Sequence, residues 1–172
     1  RSDPSGDPAG QARCGLGGRP MRVNFVMVWV GDKYGPEYVR TLVDMITRNA
    51  SKLDSALFWC VTDRPGELPE YVRAIPVPND LPGWWAKVGL FSPDMPWEEG
   101  DRIAYFDLDL AITGRLEDLV ETKGIIRDWL WPCFNSSVMV WDHGEHRDIW
   151  DKFDPSVMTS PGKVVPPECL PS

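Results

Sequence analysis

The sequence predicts an α/β fold: an open, mostly parallel mixed sheet flanked by helices, in a single domain. Two observations carry this. Three segments, residues 22–30, 56–62 and 102–106, are almost continuously apolar and rich in β-branched and aromatic side chains, which is how strands buried on both faces read. They alternate with helical or turn-rich segments, and a strand–helix–strand order calls for crossover connections in a largely parallel sheet.

The elements follow in order. Residues 22–30 form the first strand, and Gly31-Asp32-Lys33-Tyr34-Gly35 breaks it. Pro36 suits the first turn of a helix, which runs to about Asn49 with Val39, Leu42, Val43 and Ile46 on one apolar face. Residues 56–62 are a second buried strand, turned by Asp63-Arg64-Pro65-Gly66. A short strand is expected around residues 73–77 and a short helix over residues 84–91. Residues 102–106 are the next buried strand and run into Asp107-Leu108-Asp109. Residues 110–113 continue in extended form, Gly114 turns the chain and residues 115–120 make a helical turn. Residues 134–141 give another strand and 145–153 a helix. Residues 1–20, rich in Gly, Pro, Asp and Ser, are expected to be a disordered tail, with the biological start at or near Met21. The domain is expected over residues 21–160, followed by a Pro-rich, irregular end over 161–172.

A chain of 172 residues with 42% hydrophobic residues can bury a core. The net charge of −8 argues against nucleic acid as a partner, since phosphate backbones select basic surfaces. It leaves room for a nucleotide, which a metal, a few backbone amides and one or two cations can hold. Cys14, Cys60, Cys133 and Cys169 match no zinc spacing. Cys60 and Cys133 lie in apolar runs and read as buried thiols, so a reducing, cytoplasmic location is expected. No integral membrane segment is expected, because the longest apolar run, near residues 23–30, is far short of about 20 residues. No signal peptide is expected.

Two carboxylates ending a hydrophobic strand call for an explanation. Side chains alternate along a strand, so Asp107 and Asp109 point the same way. Like charges held close repel unless a cation sits between them, and a divalent metal with hard oxygen ligands meets that need. The C-terminal edge of an α/β sheet is also where ligands bind. His143 and His146 have the wrong spacing for a helical zinc pair and are read as surface or cap residues.

The stretch Arg102-Ile-Ala-Tyr-Phe-Asp-Leu-Asp-Leu-Ala-Ile-Thr-Gly-Arg-Leu-Glu-Asp-Leu119 resembles the metal-binding region of GT-A glycosyltransferases, in particular the glycogenin-like and lipopolysaccharide-galactosyltransferase-like group. Phe134-Asn-Ser-Ser-Val-Met-Val-Trp141 is similar to that group's strand lining the sugar site, with Ser137 where Gly is usual. Gly31-Asp-Lys-Tyr34 resembles its nucleotide-binding loop. The resemblance implies a GT-A (Rossmann-like) fold and transfer of a sugar from a nucleoside diphosphate sugar, a UDP-sugar first, to a glycan or other hydroxyl acceptor. It implies Mn2+ or Mg2+ held by Asp107 and Asp109, with Asp109 the more direct ligand. For the donor nucleotide it implies Val30, Gly31, Asp32, Tyr34, Lys87, Asp107 and Leu108. For the sugar or acceptor it implies Asn135, Ser136 and Asp142. No catalytic base is assigned.

At several of these positions a plainer role stands beside the functional one. Tyr34 is suited to stack on the base or to pack at the helix start. Lys87, in Gly83-Trp-Trp-Ala-Lys-Val-Gly-Leu-Phe91, is a cation for the diphosphate or a solvated lysine. Trp84 and Trp85 wall the donor site or pack beneath the loop, while Trp29, Trp59 and Trp141 belong to strands and the core. In the resembling group a third metal ligand, usually His, and much of the acceptor site come from near the C-terminus. The chain is therefore expected to be a C-terminally truncated member. Two alternatives remain: a non-catalytic GT-A domain that holds nucleotide without transfer, and a haloacid-dehalogenase-like phosphohydrolase. In the latter, Asp107 would be the nucleophile and Asp109 the acid/base.

Overall fold

The computed structural model describes residues 22–50, 56–130 and 132–159. The expected N-terminal tail, the start at Met21, the Pro-rich end, Cys14 and Cys169 lie outside the described residues. Six strands form one mixed sheet: β1 (Val23–Trp29), β2 (Ala56–Thr62), β3 (Val72–Ile75), β4 (Arg102–Phe106), β5 (Gly124–Arg127) and β6 (Phe134–Asp142), in the order β3-β2-β1-β4-β6-β5. The β3–β2, β2–β1 and β1–β4 pairs are parallel; β6 runs antiparallel to both β4 and β5. The helices are α1 (Pro36–Asn49), α2 (Glu117–Glu121) and α3 (Arg147–Asp151). Among the described residues no helix is long and apolar enough to cross a membrane.

Strand alternation sorts the interior into two layers. Phe25, Met27, Trp29, Ala104, Phe106 and Leu108 face α1, where Val39, Leu42, Val43 and Ile46 are buried as the apolar stripe requires. Val26, Trp59, Val61, Ile103, Tyr105 and Trp141 face the other side, covered by a 3-10 helix at Gly83–Phe91 that contributes Ala86 and Leu90. Trp29, Trp59 and Trp141 thus lie in the core, each at most 9% exposed. The α1 layer gives a direct check on packing. Ile46→Val removes one methylene from a residue 1% exposed, and should cost about 0.5–1.5 kcal/mol in the urea unfolding free energy.

Several expectations are corrected. The short third strand ends at Ile75, because Pro76 and Pro78 lack the N–H that a ladder needs. The short helix expected over 84–91 is present, as a 3-10 helix over Gly83–Phe91. Gly89 lets it press on the preceding loop: a Cβ there would lie 2.5 Å from Pro78 Cγ. The last helix is shorter than 145–153, since Gly144 and His146 adopt left-handed φ of 95° and 59° and delay its start. Edge strand β5 has no sequence signature; all four of its residues are exposed, and only pairing with β6 defines it. Cys60 is fully buried, and burial pushes its thiol up to about 12. Cys133, expected to be buried, is only half-buried at the open β5–β6 end.

Candidate functional site

The site grows from the alternation of β4. Ile103 and Tyr105 face the 3-10 helix at Gly83–Phe91, and Asp107, two residues on, continues along that face. It therefore meets Lys87, whose Nζ is 2.6 Å from Asp107 Oδ1. The buried Tyr105 hydroxyl donates to the same oxygen. The Lys87 ammonium also lies 5.2 Å from the Tyr105 ring centroid. Burial first, and the Asp107 charge next, push the Tyr105 phenol far above its ordinary value, so it remains a donor.

Asp109 stands at the turn after β4 and contacts the loop that follows β1. Tyr34 Oη donates to Asp109 Oδ2 at 2.5 Å, and Lys33 Nζ is 3.9 Å from the same oxygen. Lys33 Nζ also lies 4.5 Å from the Tyr34 ring centroid. The hydrogen bond to Asp109 raises the Tyr34 pKa, with Lys33 acting against it. Tyr34 is fixed from behind as well: its carbonyl accepts from Trp29 Nε1 at 2.8 Å, and its ring lies 4.8 Å from that of Tyr38. Tyr34 therefore lines the cleft and packs against Tyr38 of α1 with the same side chain.

These residues line one cleft of about 300 Å³, together with Val28, Val30, Gly83, Trp84 and Leu108. It opens at the C-terminal ends of β1 and β4, where β2 lies on one side of β1 and β4 on the other. That is the switch point where open α/β sheets place ligands. Trp84 stands at the rim, 58% exposed and stacked on Trp85 at 4.0 Å. The cleft gathers Val30, Tyr34, Lys87, Asp107, Leu108 and Asp109 from the expected set. Lys33, Tyr105 and Trp84 join them; the sequence reading gave Lys33 and Tyr105 no site role of their own. Tyr105 carries a readable signal, its position two residues before Asp107 on the same strand face. Lys33 carries none beyond its loop.

Other expected residues are placed elsewhere. Gly31 donates its N–H to Asp63 Oδ2 at 3.2 Å, and Asp32, 92% exposed at its side chain, pairs with Arg64. The β2 turn therefore holds that pair outside the cleft. Asn135 binds Asp128 Oδ2 at 3.1 Å and accepts from Ser137 N at 2.8 Å, and Ser136 is exposed. Both sit at the correct sheet edge, because the Asp107 N–H donates to Ser137 O at 2.9 Å, but neither lines the cleft.

Asp142 requires a correction. β6 is antiparallel to β4, so its far end pairs with the beginning of β4, and Asp142 lies opposite Arg102. Seven residue steps along the strand separate it from Asn135, a span of ~23 Å. Arg102 Nε donates to Asp142 Oδ1 at 2.5 Å and Lys123 Nζ lies 3.0 Å from Oδ2. Burial alone would raise the Asp142 pKa, but the hydrogen bonds from Arg102 and Lys123 outweigh it and hold the value below the ordinary 3.8. A depressed folded value stabilises the fold above the unfolded pKa and is lost as pH falls through the lowered one. Asp142→Asn should therefore shrink the loss of stability between neutral pH and about pH 3, read as urea midpoints across that range. His143, next along the chain, bonds its N–H to Asp101 O at 2.8 Å at this far end, and neither it nor His146 lines the cleft.

Among the described residues, one oxygen of each carboxylate carries the contacts. Asp107 Oδ1 and Asp109 Oδ2 take all of the contacts above, and Asp107 Oδ2 and Asp109 Oδ1 take no protein hydrogen bond among the described residues. No cluster of three or more His, Cys, Asp or Glu residues suited to a metal occurs among the described residues. A pair of such carboxylates nonetheless fits Mg2+ or Mn2+ held by one or two carboxylates, with phosphates and water completing the shell. A scan of protein-family models finds no match to this chain, and a search of curated proteins finds none either.

Proposed function

We propose that the chain is a metal-dependent glycosyltransferase domain of the GT-A type, and that its cleft holds a nucleoside diphosphate sugar, a UDP-sugar first, for transfer to a hydroxyl acceptor. One observation supports the reading: Asp107 and Asp109 line one cleft at the sheet's switch point, beside a lysine and two tyrosines that contact only one oxygen of each carboxylate among the described residues. A bound Mn2+ or Mg2+ would supply Lewis-acid stabilisation of the leaving diphosphate.

The chain's own residues do the rest. Asp107 and Asp109 supply the ion's protein ligands. Lys87 lies beside Asp107, where it would offset charge developing on a leaving diphosphate. Tyr105 and Tyr34 orient the two carboxylates by hydrogen bonds, as outer-shell donors orient metal ligands generally. Trp84 offers an exposed ring at the rim for the base or the sugar.

Titration calorimetry of UDP with and without Mn2+ tests this. The reading expects binding that requires Mn2+; equal binding with and without the ion would sink it. Hydrolysis of a generic aryl phosphate without UDP binding would favour the phosphohydrolase alternative.

A further inference from the structure

We infer that a second copy of this chain docks on edge strand β5, the two β5 strands running antiparallel about Ile126, with each copy's Trp129 entering an apolar hollow of the other. The inference is independent of the nucleotide-sugar reading. It starts from the edge. Among the described residues β5 pairs with β6 on one side only, so its other side is the margin of the sheet. Such edges are templates for another strand, and proteins blunt them with charge, proline or a covering element. Here all four β5 residues are exposed. The Lys123 ammonium, just before the strand, is drawn to Asp142 and Glu145.

Apolar surface gathers at the same place. Ile125, Ile126, Leu130 and Phe134 are exposed, and Trp129 is 91% exposed. Beside β5, a hollow of about 300 Å³ is lined by Phe91, Ile125, Met139, Trp141 and Ile149, with His146 the one polar side chain in its wall. A bare indole and an apolar hollow at one edge complement each other between two copies, and contiguous exposed apolar surface of this kind marks association sites.

Twofold symmetry and charge select the register. A symmetric antiparallel pair keeps each face of the sheet on its own side, so opposed residues must share a parity along the strand. Only centring on Ile125 or on Ile126 overlaps most of β5 with itself. Centred on Ile125, Lys123 opposes the partner's Arg127, and twofold symmetry repeats the clash of like charges. Centred on Ile126, Ile125 opposes the partner's Arg127 and Gly124 opposes the partner's Asp128, with no like charges facing. The same centring sets Trp129 opposite the partner's Lys123, next to the partner's Gly124 and Ile125, the two β5 residues that line the hollow. A few strand residues and two indoles make an interface at the small end, under about 1,200 Å². The dimer therefore forms and parts with concentration.

Sedimentation equilibrium of the full chain from about 5 to 500 µM reads this. The wild-type mass should rise from 19.5 kDa toward twice that value. Trp129→Ala should weaken the dimer about tenfold. Ile126→Arg sets two like charges on the twofold axis and should weaken it at least about thirtyfold. Both positions are exposed, so urea midpoints should stay at the wild-type value. Cross-linking with oxidised glutathione reads the register, with wild type and its own cysteines as the control. Ile126→Cys should give a disulfide-linked dimer, because directly opposed residues have Cα atoms about 4.5–5.5 Å apart and a disulfide spans about 4.4–6.8 Å. Ile125→Cys should give none, its two copies lying about 8 Å apart.

A wild-type chain that keeps its monomer mass up to about 500 µM overturns the inference and leaves the edge to another occupant. A dimer untouched by Ile126→Arg, or one that cross-links as well through position 125 as through 126, overturns it too.

Discussion

Asp109→Ala should abolish Mn2+-dependent UDP binding, by about 100-fold or more, and leave the urea unfolding midpoint unchanged. Asp109 is half-exposed at its side chain, and its contacts are the Tyr34 hydroxyl and the more distant Lys33. Losing them exposes no apolar core, and surface changes of this kind stay within about 0.5 kcal/mol. Binding is a different matter, because the substitution removes one of the two carboxylates that line the cleft. Asp109→Asn sharpens the test. It keeps an acceptor for Tyr34 and nearly the same shape, but removes the charge that a hard cation requires. Similar losses in both variants identify the charge as the requirement; full binding in the Asn variant would assign Asp109 to positioning alone. The comparison is read from calorimetric Kd values at one fixed salt concentration, since exposed charges are screened by salt.

Arg102→Ala should cost about 3–5 kcal/mol of folding stability. Arg102 is 9% exposed on β4, donates to Asp142 Oδ1 at 2.5 Å, and also donates to the carbonyl of the fully buried Val120. Truncation leaves that carbonyl without its donor and Asp142 with Lys123 alone. The side chain thus ties the start of β4, the end of β6 and the helix α2 together. Arg102→Lys retains the charge but loses the planar fork, so an intermediate loss is expected. Urea unfolding of the two variants measures this; a loss under about 1 kcal/mol for Arg102→Ala would show that the pair is not structural. The same geometry explains why Asp142 does not line the cleft.

Sequence reading succeeded where a pattern reports burial on its own. β1, β2 and β4 are buried on both faces and carry uninterrupted apolar runs, and α1 shows its stripe at Val39, Leu42, Val43 and Ile46. It failed where partners decide. β5 is exposed throughout and exists only through its ladder with β6. α3 is cut short by backbone φ at Gly144 and His146, which composition does not announce. In the cleft, alternation alone aims Asp107 at the same layer as Tyr105, so much of the site followed from one strand. Asp142 was misplaced because its own residues do not say which way β6 runs, and an antiparallel strand carries its last residue to the opposite edge. Asp32 was drawn off by Arg64, a residue 32 positions away that no local motif includes.

The most direct test is to grow crystals with Mn2+ and UDP and to locate the ion by anomalous scattering. The account predicts a peak about 2.1 Å from Asp107 Oδ2 or Asp109 Oδ1, with the diphosphate on its far side and Lys87 within hydrogen-bond distance of a phosphate oxygen. A peak at any other place, or UDP bound in the cleft with no ion between it and the two carboxylates, would contradict it.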